Sequence, residues 1–140
     1  MPPIRNLESE RACYAYEDCV MKVPENLGED YLKLVRSIGA LIRQSGLMQT
    51  LAFCFAKNKD GHIRLVKHLC TWLRQMDHTN EGLHECEDAR QVYRALLQQE
   101  DWTLMVRTRE VQALIIWLKR FAEAKWGKKA DKKGENPDNA

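Results

Sequence analysis

Histidine, cysteine and carboxylate crowd together in the stretch HTNEGLHEC, where His78, His84 and Cys86 stand with acids nearby. Zinc asks for four nitrogen or sulfur ligands held in a tetrahedron. Three candidates in an acidic loop without paired-cysteine spacing fall short of that. His68 and Cys70 are also close in sequence, but an i, i+2 pair on a helix points in different directions. The expectation is a solvated loop and no metal.

Covalent chemistry fares no better. A cysteine nucleophile needs its pKa lowered by a neighbouring base or a helix N-terminus. Cys54 and Cys70 instead fall within apolar helical patterns, where a thiol acts as a small hydrophobe. The acid pairs Glu17–Asp18 and Glu87–Asp88 are adjacent, so they splay apart on a helix and read as solvated or N-terminal helix charges. There is no phosphate-cradling glycine loop and no HExxH. A metal-independent RNase built on His62 or His68 with help from lysine remains the distant alternative, since such sites assemble from residues far apart in sequence. No enzyme, cofactor or small-molecule substrate is expected.

Charge is the informative pattern. From Lys33 to Met76 the bases are Lys33, Arg36, Arg43, Lys57, Lys59, Arg64, Lys67 and Arg74, and the only acid is Asp60. At about 100° per residue, Lys33, Arg36 and Arg43 fall opposite an apolar stripe centred near Ile38. Arg64, Lys67 and Arg74 fall opposite a second stripe centred near Leu69, and Lys57 and Lys59 lie in the connection between the two. Packed side by side, such helices can merge their basic faces into one strip that suits a phosphate backbone. A basic run is commonly just a solvated face, but solubility is better served by mixed signs. The strip has no interleaved aromatics, so backbone contact is expected and base stacking is not. A helical scaffold whose basic strip docks an acidic protein is the alternative from another class.

The elements that must carry these residues are helical throughout. The first helix is expected within Leu7–Val23, ended by Pro24, with Gly28 punctuating a turn. Tyr31, Leu34, Val35, Ile38, Leu41 and Ile42 mark the second helix. Gly46, in a left-handed conformation, would end it and turn directly into a third begun by Leu47 and Met48. KNKDG closes the third. Leu65, Val66, Leu69, Cys70, Leu73 and Met76 mark the fourth, Asp77–Asp88 is a polar loop, and Ala89, Val92, Tyr93, Leu96 and Leu97 mark the fifth. The last runs from about Trp102 to Trp126. The expected fold is all-α, a compact bundle of about six helices with short connections, in one domain over residues 1–126. Residues 127–140, GKKADKKGENPDNA, hold almost no apolar side chain and are expected to form a disordered tail.

Bulk composition sets the outer limits. The chain has 140 residues, is 44% hydrophobic and carries a formal charge of +2, so local charge matters more than the total. No run approaches the roughly 18 apolar residues of a membrane span, and MPPIRNLESERACYAYEDC lacks the apolar core of a signal peptide. Five cysteines without a CxxC pair argue against a disulfide framework. A reduced, cytoplasmic protein is expected. Of the tryptophans on the last helix, Trp117 is expected in the core. Trp126 is a candidate subunit contact, with a cap over the helix end as its alternative.

Two segments, ALIRQSGLMQTLAFCFAK (Ala40–Lys57) and ALIIWLKRFAEA (Ala113–Ala124), together resemble the small subunit of the type III-B CRISPR effector, the Cmr complex. The resemblance covers roughly Asp30 to Ala124. It rests on an Ile-Arg-x-x-Gly-Leu break, a Gln-x-Leu-Ala-Phe restart and a Trp-Leu-Lys-Arg-Phe-Ala end, in that order. It implies an all-helical, non-catalytic protein in an RNA-guided complex that destroys foreign RNA. It further implies copies stacked along a channel holding guide and target RNA, with other Cmr subunits as partners and cleavage done elsewhere. Base pairing would read the sequence while protein reads backbone and shape, as in other RNA-guided systems. The eight basic residues come from the charge reading and are not carried over from the family. The histidine- and cysteine-containing loop Asp77–Asp88 departs from the family pattern.

Overall fold

Apolar side chains at helical spacing become six α-helices in the structure, a computed structural model that describes residues 6–77 and 82–134, with the side chains of 129–134 outside the description. They are α1 (Leu7–Cys13), α2 (Gly28–Ser45), α3 (Leu47–Lys57), α4 (Asp60–Gln75), α5 (Ala89–Leu97) and α6 (Asp101–Gly134). No strand occurs among the described residues. α2 packs chiefly along α6, α4 lies against both, and α3 bridges α2 to α4, with α5 against α3 and α4. The core gathers Leu32, Ile38, Leu51, Leu65, Leu69, Leu73, Leu96 and Leu114 from five of these helices, all nearly sealed from solvent.

Local chemistry explains several boundaries. The Asn6 carboxamide accepts from the Ser9 amide at 2.7 Å and opens α1. Asp88 does the same for α5 through the Gln91 amide at 2.9 Å, satisfying an otherwise orphaned donor. The single helix expected over Leu7–Val23 is not continuous. After α1 the chain widens to a π-helical stretch, Tyr14–Cys19, then tightens to a 3₁₀ turn, Val20–Lys22. The wide stretch turns Tyr14, Ala15 and Cys19 inward together.

Gly46 joins α2 to α3 with no loop between, as its position in the sequence implies. Its conformation is not the left-handed one: φ is 82° and ψ is 163°, a region open essentially to glycine alone. Its amide donates to Ile42 O at 2.8 Å, closing α2. Its carbonyl then accepts from the Thr50 amide at 3.2 Å and the Thr50 hydroxyl at 2.8 Å, opening α3.

Gly28 is not turn punctuation either. It is the first residue of α2, and a Cβ there would lie 2.2 Å from Trp126 Nε1. The missing side chain is what lets the indole close over the helix end. Beyond Trp126 the helical backbone of α6 continues to Gly134; lysine and alanine are good helix formers, so polarity alone does not end the helix there. Residues 135–140 of the expected tail lie outside the described residues.

Candidate nucleic-acid interface

The α3–α4 connection turns through Asn58, whose φ of 51° and ψ of 26° put it in the left-handed region. Its amide donates to Cys54 O at 3.1 Å. That turn sets the end of α3 and the start of α4 beside the first half of α2. Between them lies an open cleft of about 630 Å³. Lys33 comes from α2, Lys59 from the turn, His62 from α4 and Phe53 from α3. Lys57 stands at the rim with its ammonium 5.6 Å from the centre of the Phe53 ring. Asp30 and Asp60 also line the cleft, so it mixes cations with acceptors. His62 is held below the usual histidine range, first by burial and then by the cations of Lys59 and Lys57.

The eight expected basic residues are therefore sorted rather than merged. Lys33 and Lys59 are exposed and line this cleft, and Lys57 is exposed beside its Phe53 wall. Lys67 and Arg74 line a separate, smaller groove with Glu87 and Asp88 at the start of α5. Arg36 turns toward α6, where its Nε donates to Glu123 Oε1 at 3.3 Å. Arg43 is exposed on α2, with its guanidinium near Gly39. Arg64 is half-buried and lies near enough to Tyr31 and His68 to influence both electrostatically. The near-absence of acids in the window from Lys33 to Met76 does not survive folding, because Asp30, Glu87, Asp88 and Glu123 arrive from outside it.

Sequence reasoning missed Phe53. Its ring is 40% exposed in a helix that buries Leu47, Leu51 and Cys54, and it meets the His62 ring edge-on at 5.9 Å between centroids. An aromatic pair therefore does stand in the cleft. The available signal was its position about 200° around α3 from Leu51, on the face that the core does not need.

The buried residues considered for chemistry are engaged in structure. Burial pushes the thiols up, Cys19 to about 12, Cys54 to about 11 and Cys70 to about 12, the wrong direction for a nucleophile. His68 is pulled down to about 4 by burial and then by Arg64. It shares a 2.8 Å hydrogen bond from Nδ1 with the Tyr31 hydroxyl, and its carbonyl accepts from Tyr14 at 2.6 Å. Asp77, at the start of the acidic loop, is fully buried. It accepts from the Leu83 and His84 amides at 2.8 and 3.1 Å and from Arg107 of α6 at 3.0 Å. That loop is thus tied to the bundle through the Asp77 carboxylate and the buried Leu83 side chain. Among the described residues no three metal-ligating side chains cluster; His78 lies outside them. No described helix is long and apolar enough to cross a membrane.

Residues 7–125 match the family of CRISPR-associated proteins designated Cas_Cmr5. The chain belongs to the Cmr5 family. It is 33% identical over 100 residues to the CRISPR system Cmr subunit Cmr5 of Thermus thermophilus, a match spanning 71% of this chain and 77% of that one. Its fold is similar to the crystal structure of a CRISPR-associated Cmr5 family protein, also from Thermus thermophilus, with a TM-score of 0.68 at 28% identity over 86% of this chain and 97% of that one. The family that the Gly46 break and the Trp117–Ala122 end resemble is the family the chain matches.

Within this Cmr5-family fold the tryptophans divide differently from expectation. Trp126 is 1% exposed. Its Nε1 donates to Glu25 Oε2 at 3.2 Å, and its ring packs edge-on to Tyr31 at 6.4 Å. It caps the helix end, so its ring is not offered to a second subunit by the single chain. Trp117 is only half-buried, stacked on Phe121 at 5.8 Å with its Nε1 donating to Glu8 at 3.1 Å. Trp102 is the exposed one, at 68%.

Proposed function

We propose that this chain is the non-catalytic small subunit of a type III-B CRISPR (Cmr) RNA-guided effector, assembling with other Cmr subunits and stacked copies of itself along guide and target RNA. It contacts RNA backbone, with Lys33, Lys57 and Lys59 as the leading contacts and Arg36, Arg43, Arg64, Lys67 and Arg74 as flanking ones. The observation that carries this reading is two exposed lysines lining one open cleft, with a third against its Phe53 wall, in a chain of this family. Phosphate neutralised by lysine releases condensed counterions and is indifferent to base sequence. The non-catalytic part is supported by thiols pushed up and a buried histidine pulled down, both away from reactive states. Stacked copies would raise a weak single-chain affinity through avidity.

The test is purification of the chain from its native host with whatever protein and RNA accompany it, beside a Lys33→Glu, Lys57→Glu, Lys59→Glu variant. The expected result is that both recover the other Cmr subunits and that the variant retains less target RNA. Equal retention of RNA by an assembled variant contradicts the cleft; recovery of neither protein contradicts the subunit role. RNA cleavage by the isolated chain that His62→Ala abolishes would restore the enzyme alternative.

A further inference from the structure

The cleft holds more than a phosphate site requires. Three lysines alone would suit a bare polyanion, yet the same walls carry Asp30 and Asp60 and the exposed ring of Phe53. Two carboxylates repel phosphate but accept hydrogen bonds from hydroxyl and amino groups. Nothing in the packing of α3 asks for Phe53 where it is, since the core takes Leu47, Leu51 and Cys54 from the other face.

We infer that the cleft takes one unstacked nucleoside unit of single-stranded RNA, its base lying on the Phe53 ring and its flanking phosphates on Lys33, Lys57 and Lys59. This rests on the RNA-binding reading above and adds base stacking to it. Among the described residues the cation over the ring is the Lys57 ammonium, at 5.6 Å from its centre. Lys57 is exposed, and an exposed cation–π contact is weaker than a base stacked on an aromatic. A base therefore displaces the lysine, and the displaced ammonium finds a phosphate of the same strand. His62 meets the ring at 63° between planes, which bounds the platform on one side. The carboxylates of Asp30 and Asp60 take the hydroxyl of ribose or the amino groups of the base. A stack on a π-face is tolerant of sequence, which fits a subunit that leaves sequence reading to base pairing.

The experiment measures the affinity of the full chain at about 50 mM salt, where backbone contacts are strong, for a single-stranded oligoribonucleotide and for a ribose–phosphate oligomer of equal length without bases. Wild type is expected to prefer the base-bearing strand by about tenfold. Phe53→Leu is expected to remove that preference, while Phe53→Tyr restores it and both keep the wild-type salt dependence and melting midpoint. A preference that survives Phe53→Leu overturns the stacking inference and leaves backbone binding standing. Failure of wild type to bind either oligomer overturns the RNA reading and the inference with it. An acidic peptide that binds through Phe53 and is not displaced by RNA also overturns both, in favour of a protein partner.

Discussion

Two regions share the first turns of α2 and use them in opposite ways. On one side is a closed seam, where Gly28, Tyr31, His68 and Trp126 meet with almost no exposure. On the other is the open cleft of Asp30, Lys33, Phe53, Lys59 and His62. In the seam polar atoms find partners inside the protein: Trp126 with Glu25, Tyr31 with His68, Tyr14 with the His68 carbonyl. In the cleft the charged groups face solvent. Residues one or two apart on one helix point to different sides, whereas those three apart share a face, so Tyr31 serves the fold while Asp30 and Lys33 both line the open cleft. The contrast teaches that polar residues of similar type divide by burial into those that hold the bundle and those left to act outward.

The contrast can be broken most strongly by acid. His68 titrates near 4 in the folded chain against about 6.5 when free. Above pH 6.5 both states are neutral there and the group adds no pH dependence. Between pH 6.5 and 4 the unfolded chain takes a proton that the folded chain refuses, so stability falls as pH falls, by about 3 kcal/mol from this group. Unfolding free energies measured from pH 7 to 4 should show that slope in wild type and a shallower one in His68→Gln.

The next effect in size is Gly28→Ala. Alanine normally gains about 1 kcal/mol over glycine within a helix. Here its Cβ would stand 2.2 Å from the indole, and overpacking of about 3 kcal/mol wins. A net loss of about 2 kcal/mol in denaturant unfolding is expected. A stabilised variant would show that the seam is looser than described. Tyr31→Phe should cost about 1 kcal/mol by leaving the buried His68 nitrogen without its partner, read in the same titration. Lys33→Ala, Lys57→Ala and Lys59→Ala together should change stability by no more than about 0.5 kcal/mol, although they sit beside the same helix. A large loss from these three would erase the distinction between the regions.

The sequence made the helices legible because each buries one stripe, and the stripes on α2 and α4 are continuous. It also made the Gly46 corner legible, though not its backbone angles, which depend on Thr50 closing the next turn. It did not disclose the wide turn at Tyr14–Cys19, which answers to what lies beneath it: Tyr14 reaches the His68 carbonyl and packs on Trp72 at 4.9 Å. The site was legible only in part. A charge window along the chain ignores acids that fold in from elsewhere, so Glu123 on Arg36 and Glu87 and Asp88 beside Lys67 were invisible to it. Phe53 was overlooked because its neighbours are core residues and its own exposure depends on where α2 and α4 leave space. Trp126 read as a candidate subunit contact because its cover, Glu25 and Gly28, lies a whole bundle away in sequence.

The most direct test of the lysine cleft is the dependence of single-stranded RNA affinity on salt. It should be measured for wild type and for the Lys33→Ala, Lys57→Ala, Lys59→Ala variant, alongside Lys67→Ala, Arg74→Ala. Each backbone contact to a single strand contributes about 0.7 to the log–log slope. The triple variant is expected to lose about two units of slope, and the Lys67, Arg74 variant less, because it removes two cations rather than three. A triple variant that keeps the wild-type slope would contradict the account.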